Sequence, residues 1–546
     1  MACGGPVRNP RARRGDRCVT ARRGTGAAPH AAPGAATRHT LGFMPRLHMH
    51  VTDAAEAPLR VALHELRGRL EIPDHFPPTA QAEAESAARA PRIPAADGAV
   101  STEHTLEDAT DLPLFTLDPP GSLDLDQAMF LSRRPGRGSP GARAGGGYRV
   151  HYAIADVASF VTPGGALDAE AHHRVTTLYF PDERVPLYPY ALSEGAASLL
   201  PDRDRPAVLW QLDLDADGAL AGVRVRRALV RSRAKLDYAG VQRILDDGTA
   251  EEPLALLREI GLLREELEVA RGAISLNVPE QEIVEEEGCY RLEYRAPLPA
   301  YGWNAQISLL TGMAAAELML ASGTGILRTL PTAPDGSVAR LRLTARALGV
   351  DWPHHTSYAA LIRALDPRRP AHAAFLQECT ALLRGAGYTA FDGTAPPASE
   401  ALHAAVAAPY AHATAPLRRL VDRYTSELCL AASAGAEPPS WVRGALATLP
   451  REMELGTQRA NQVERACVDL VEAALLRDRI GEVFEGLVVE IQETDPTHGT
   501  VHLVDPAVIG PVEAAPEGPA LPLGRRIPVR LAEAEPGHRP VRFTAA

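Results

Sequence analysis

The stretch Thr116-Leu117-Asp118-Pro119-Pro120-Gly121-Ser122-Leu123-Asp124-Leu125-Asp126-Gln127 holds the residues best suited to chemistry. An apolar strand runs into Asp118, and a Pro-Pro-Gly turn follows it. If the next piece is extended, Asp124 and Asp126 project to one side, because alternate residues share a face. Three carboxylates gathered in this way repel one another and need positive charge. Hard oxygen donors favour Mg²⁺, with Mn²⁺ as the alternative. A turn with capping aspartates is the bland reading of such a string.

A second stretch, Pro409-Tyr410-Ala411-His412-Ala413-Thr414-Ala415-Pro416-Leu417-Arg418-Arg419, sets two arginines just after a proline. Pro416 suits the first turn of a helix, and Thr414 suits its N-cap. Arginines at a helix start oppose the dipole, a mismatch that an anionic ligand would relieve. A surface arginine pair is the competing reading. His48-x-His50, His172-His173 and His354-His355 lack a third ligand at a recognisable spacing and read as ordinary histidines. There is no GxxxxGK[ST] loop, and Lys235 is the only lysine, so no nucleotide cofactor is expected.

The acidic string resembles the signature of the RNB-domain ribonucleases, the ribonuclease II and ribonuclease R family, in which an aspartate is followed after five residues by D-x-D-D. Asp118, Asp124 and Asp126 match three of the acids, and Gln127 stands at the fourth. Tyr152-Ala153-Ile154-Ala155-Asp156-Val157 is similar to the family's IADVS segment. Leu167-Asp168, Thr176–Pro181, Leu192-Ser193-Glu194-Gly195 and Ser198-Leu199 continue in register. The arginine stretch resembles the family's Y-x-H-[FA]-T-S-P-[IL]-R-R, with Ala415 for the serine. Glu464-Arg465 resembles an E-R-D-V helix, with Ala466 and Cys467 in the last two places. The helix at Ile307-Ser308-Leu309 lacks the acidic pair of ribonucleases II and R, which leaves open how ribose is told from deoxyribose.

The resemblance implies an α+β fold: an RNB catalytic domain, a mixed sheet surrounded by helices, with a small OB-fold or S1-like barrel after it. It implies a Mg²⁺-dependent, hydrolytic 3′→5′ exoribonuclease that degrades single-stranded RNA to nucleoside 5′-monophosphates. Asp118, Asp124, Asp126 and Gln127 would form the metal shell. Asp126, Arg418 and Glu464 would be catalytic, with Arg418 neutralising the transition state. Tyr179 would stack on a base, and His412, Thr414 and Arg419 would help hold RNA. Two rivals are an RNA-binding protein with an inactive RNB core, suggested by Gln127, and a metal phosphodiesterase acting on another substrate.

The sequence has 546 residues, 45% apolar and 23% charged, a balance that allows large cores. Its net charge of −11 argues against a generally basic nucleic-acid coat. No run of about 18 uncharged apolar residues is evident, so no membrane span is expected. Six scattered cysteines without CxxC spacing suit a reducing cytoplasm. A monomer is expected. Residues 1–43 carry eight arginines against Asp16 alone and read as sequence upstream of the natural start or a disordered basic arm. Helical spacing continues from Ala54 to Leu70, and an Ala/Glu-rich helix precedes Pro91, giving a small lead-in over 44–105. Residues 106–233 read as β-rich, with a Gly/Arg/Pro loop over 133–147. Helical period returns over 239–271, 303–320, 358–384, 417–432 and 441–479, completing a catalytic domain over 106–480. Short strands after Ile480 predict the barrel over 481–546.

Overall fold

A computed structural model describes residues 57–91, 106–135, 146–276, 280–286, 289–295 and 297–546 apart from 334, 384, 493, 504, 517, 538 and 539. The expectations for 1–43, for His48-x-His50, for both ends of the 44–105 lead-in and for most of the 133–147 loop fall outside these residues.

The β-rich expectation is met by eight strands: β1 Glu107–Asp108, β2 Leu114–Leu117, β3 Gln127–Arg134, β4 Gly147–Ala155, β5 Leu178–Tyr179, β6 Arg184–Val185, β7 Asp204–Leu214 and β8 Leu220–Leu236. Six form one mixed sheet in the order β1-β8-β2-β3-β4-β7, and β7 also pairs with β8, so the sheet curls back on itself. β5 and β6 make a separate small hairpin. The length of β8 follows from its alternation: Ala228, Val230 and Ser232 are buried, while Arg231 and Arg233 lie on the other side. Cross-strand neighbours Tyr152 and Trp210 fill the interior.

Two helices close one side of this sheet. Pro299–Ser322 is long and apolar enough to cross a membrane, yet 61% of its apolar window is buried inside the protein, as in a core helix. Leu420–Ala434 is buried continuously from Leu420 to Ala431. Gly312 lets the chain before the second helix lie against the first. A Cβ there would meet the Tyr410 ring at 2.2 Å and the Ala411 carbonyl at 2.6 Å. Sequence periodicity overlooked three strand pairs: Glu280–Glu286 with Cys289–Arg295, Thr324–Thr329 with Gly387–Asp392, and the short Leu402–His403 with Ala408–Pro409.

The lead-in forms helices Ala57–Arg69 and Pro78–Arg89. At the far end, strands Val483–Ile491, His498–Leu503, Val508–Glu513, Arg526–Glu533 and Arg542–Ala545 close a five-stranded barrel. One apolar cluster joins Leu63 and Leu66, the hairpin residues Leu178, Phe180 and Val185, the helix residues Val463 to Leu476, and barrel residues such as Phe484 and Val529. The barrel is therefore packed onto the catalytic domain and the lead-in. It does not hang on a linker.

Candidate active site

Asp118 lies where the parallel strands β2 and β8 stop, its amide bonded to the Leu236 carbonyl at 3.1 Å. The turn after it closes through Ser122 N–H to the Pro119 carbonyl at 3.0 Å. Ser198 fixes the next piece. Its hydroxyl donates to the Leu123 carbonyl at 2.6 Å and accepts from the Leu125 amide at 3.0 Å. Leu125 is fully buried between the two aspartates, and Asp126 is buried with it while Leu123 is exposed, so burial does not alternate along this piece.

Asp126 is buried. Its Oδ1 accepts the Leu417 N–H at 2.7 Å, and its Oδ2 accepts from Arg418 Nε at 3.1 Å. Burial pushes its carboxyl up to about 7, against the pull of Arg418 and the Leu417 N–H; Asp124 and Asp422 add to the rise. Asp118 is also raised to about 7 by burial, with Arg418 opposing and Asp124 adding. One of its oxygens, Oδ2, is buried without a hydrogen-bond partner. Asp124 is ion-paired with Arg184, whose guanidinium also holds Glu194. Part of the positive charge that the acidic string demands thus comes from two arginines.

Gln127 is engaged at both ends. Its amide nitrogen donates to the Thr414 carbonyl at 2.6 Å, and its amide oxygen accepts from the Tyr152 hydroxyl. Among the described residues, no group of three or more His, Cys, Asp or Glu side chains is gathered as a metal site. The structure therefore does not assemble Asp118, Asp124, Asp126 and Gln127 into a ready-made shell. A single hard cation does fit the chemistry of the orphaned Asp118 oxygen, beside a second carboxylate at Asp124.

The expectation that Thr414 caps a helix is corrected. Residues 416–418 form a turn, with the Arg418 and Arg419 amides bonded to the Ala415 carbonyl at 3.2 and 3.0 Å. The helix begins at Leu420, because Arg419 is extended (φ −136°) and bridges to Thr176. No side chain caps the helix at Arg419; Asp422, in its first turn, instead accepts the Ala415 N–H of the preceding turn at 2.7 Å. Thr414 sits 2.6 Å from Ser308, hydroxyl to hydroxyl.

Arg419 is buried in a bidentate pair with Asp422, both contacts 2.9 Å. His412 is buried with Nδ1 2.7 Å from the Tyr388 hydroxyl. Burial, reinforced by Arg419 and Arg328, holds its imidazole well below the usual range, so it is neutral near pH 7 and unsuited to shuttle protons. Tyr179 faces Arg184 across the β5–β6 hairpin and lies within electrostatic reach of Arg418. Glu464 lies half-buried on the helix Leu449–Leu476, near Cys467, which also senses Asp182 and Arg67. His172 is tied to Glu452 at 2.5 Å and to the Tyr424 hydroxyl at 2.7 Å, a hydrogen-bonded histidine and no ligand.

Glu194, Asp156 and Asp168 lie in segments that resemble the family, but nothing local in the sequence marked their arginine partners. Arg184 and Glu194 belong to the site only through folding. Asp156 of the IADV-like segment pairs with Arg227 at 2.9 Å, and Arg227 also holds Glu427. Asp168 pairs with Arg423 at 2.5 Å.

A curled mixed sheet that presents buried aspartates to an arginine turn, followed by a small barrel, defines a class. Residues 106–433 match the RNB domain, and the chain belongs to that family. Residues 482–546 match the RNase II-type exonuclease C-terminal S1 domain. Among characterised relatives, Ribonuclease R of Escherichia coli is 27% identical over 410 residues, 70% of this chain and 48% of that protein. Exosome complex exonuclease RRP44 homolog A of Arabidopsis thaliana is 29% identical, over 68% of this chain and 40% of its own length. The chain spans about half the length of these relatives. Mycoplasma genitalium RNase R in complex with ribose-methylated single-stranded RNA shares the fold, with a TM-score of 0.72 at 18% identity, covering 89% of this chain and 78% of that one. Yeast Ssd1, a pseudonuclease, shares it with a TM-score of 0.59 at 16% identity, over 76% of this chain and 51% of that one.

Proposed function

We propose that the chain is a hydrolytic 3′→5′ exoribonuclease that shortens single-stranded RNA to nucleoside 5′-monophosphates with Mg²⁺. The observation that carries the reading is the pairing of Asp126 with Arg418 beside the orphaned oxygen of Asp118. Asp118 would hold the ion together with Asp124 Oδ2, the oxygen that Arg184 does not occupy. When bound, a divalent ion supplies Lewis-acid stabilisation and an acidified water. Asp126, held by the Leu417 N–H, aims the Arg418 guanidinium, whose charge answers that growing on a phosphate oxygen in the transition state. Tyr179, next to Arg418, offers a ring on which a terminal base can stack. Gln127, Thr414 and Ser308 brace the arginine turn against β3 and the core helix. Activity in the cytoplasm, as a monomer and without a nucleotide cofactor, goes with this reading.

A second reading, an RNA-binding protein with an inactive core, draws on Gln127, whose amide is taken by Tyr152 and Thr414. End-labelled poly(A) separates the two. Stepwise shortening with Mg²⁺ that EDTA abolishes is expected; binding without shortening at any Mg²⁺ or Mn²⁺ concentration would select the inactive core.

A further inference from the structure

Arg184 is absorbed by no part of the reading above, yet it stands inside the acidic site. Its guanidinium joins Asp124 to Glu194, with side-chain exposures of only 12%, 15% and 19%. It is also held from behind. The loop between β5 and β6 is tied to the lead-in helix through Arg67, which bonds Asp182 at 3.0 Å and Glu183 at 3.0 Å and lies 5.2 Å over the Phe180 ring. The loop closes on itself through Phe180 N–H to the Glu183 carbonyl at 2.8 Å. A hairpin pinned this way presents Arg184 in one place, so the cation is preorganised and does not sample the surface.

Charge then limits what else the site can hold. Fully ionised, Asp118, Asp124, Asp126 and Glu194 bring at most four negative charges, since burial raises Asp118 and Asp126, and Arg184 and Arg418 return two. The remaining −2 is met by one divalent ion. A second would leave the pocket with excess positive charge at low dielectric, where like charges are expensive. Gln127 brings no charge, and its amide is committed to Tyr152 and Thr414, so it gives a second ion little reason to stay. Lys235, bonded to the Pro120 carbonyl at the exposed surface, adds a smaller positive pull on Asp118 from the rim.

We propose that Arg184 is a built-in cation standing in for a second divalent ion at Asp124, so that this chain works with a single metal ion. The inference rests on the metal-dependent reading above. Its consequence for RNA is specific: the guanidinium, unlike a metal ion, offers fixed N–H donors and cannot acidify water.

The test counts Mn²⁺ bound to the purified full chain, without RNA, from the electron paramagnetic resonance signal of the free ion. One ion per chain is expected for the parent and for Arg184→Lys. Arg184→Ala frees Asp124 and Glu194 and should bind a second ion, which millimolar guanidinium should suppress. Circular dichroism establishes that each variant is folded, and Glu194→Gln supplies an independent route to loosening Arg184. Two ions on the parent, or a folded Arg184→Ala that still binds one, would overturn the inference. No Mn²⁺ on the parent would instead overturn the metal-dependent reading on which it rests.

Discussion

Replacing Asp118 by Asn should make the metal-free protein more stable at pH 8 than its parent. Asp118 is held at about 7 in the folded protein, mainly by burial, against an ordinary value of 3.8. Below 3.8 the carboxyl is protonated whether the chain is folded or not, and it costs nothing. Between 3.8 and about 7 the unfolded chain ionises while the folded one keeps its proton, so stability falls as pH rises. Above that range the penalty is constant. The gap is a little over three pH units at about 1.4 kcal/mol each, which caps it near ~4 kcal/mol. Asn is nearly isosteric and neutral throughout, so it removes this penalty.

The assay is urea unfolding in EDTA at pH 4.5 and pH 8, followed by fluorescence. The parent should lose stability between the two, and Asp118→Asn should lose about 2–4 kcal/mol less. Asp126, which keeps its own raised carboxyl, leaves a residual slope in both proteins. Mg²⁺ at a hundred times its dissociation constant should stabilise the parent at pH 8 by about 2.7 kcal/mol and the variant far less. Identical pH slopes in EDTA would refute the claim that Asp118 is a buried, uncompensated carboxylate.

Asp126→Asn should lower turnover by several orders of magnitude at nearly unchanged RNA affinity, since backbone and stacking contacts supply most binding. Asn has one acceptor oxygen where Asp126 serves both Leu417 and Arg418, so the guanidinium loses its aim; activity within about tenfold of the parent, roughly 1.4 kcal/mol, would sink the assignment. Gln127→Ala should cost about 1–3 kcal/mol by stranding the Thr414 carbonyl and Tyr152 hydroxyl, with the Mg²⁺ midpoint unmoved. A shifted midpoint at parental stability would place the amide in the metal shell instead. In the barrel, Arg525 and Arg526 are exposed, and replacing both by Ala should raise KM for long RNA and flatten the salt dependence by a slope of about 0.7 per lost phosphate contact. An unchanged salt slope would mean that these arginines do not touch RNA. Point substitutions serve better here than deleting 481–546, because Phe484 and Val529 share a core with Leu63 and the helix Leu449–Leu476.

The strands, the core helices and the barrel were legible because each buries one face and writes that face into the sequence as a period. The acidic string was legible for a related reason: its three aspartates are neighbours along the chain. What escaped is what folding brings in from a distance. Arg184 reaches Asp124 across 60 positions, and Arg418 reaches Asp126 across 292. The start of the arginine helix was misplaced because Pro416 marks a first turn equally well for a helix and for an isolated turn. The extended Arg419, which bridges to Thr176, decides between them.

The helix after that turn explains why some motif acids face away from any metal. A helix buried from Leu420 to Ala431 cannot carry unpaired charge, yet it and the preceding turn contain Arg418, Arg419, Asp422, Arg423 and Glu427. Each is answered: Arg418 by Asp126, Arg419 by Asp422, Arg423 by Asp168, and Glu427 by Arg227, which Asp156 also holds. Cutting one such pair strands a charge at about 3–5 kcal/mol. Asp156 and Asp168 therefore fix the helix that aims Arg418, while Asp118 and Asp124 have carboxylates to offer a cation. Asp126 does both. Loss of activity alone cannot tell these roles apart. Loss of stability can: Asp156→Asn and Asp168→Asn should unfold at lower urea than the parent whether or not Mg²⁺ is present, whereas Asp118→Asn should differ from the parent chiefly in how Mg²⁺ and pH move its midpoint.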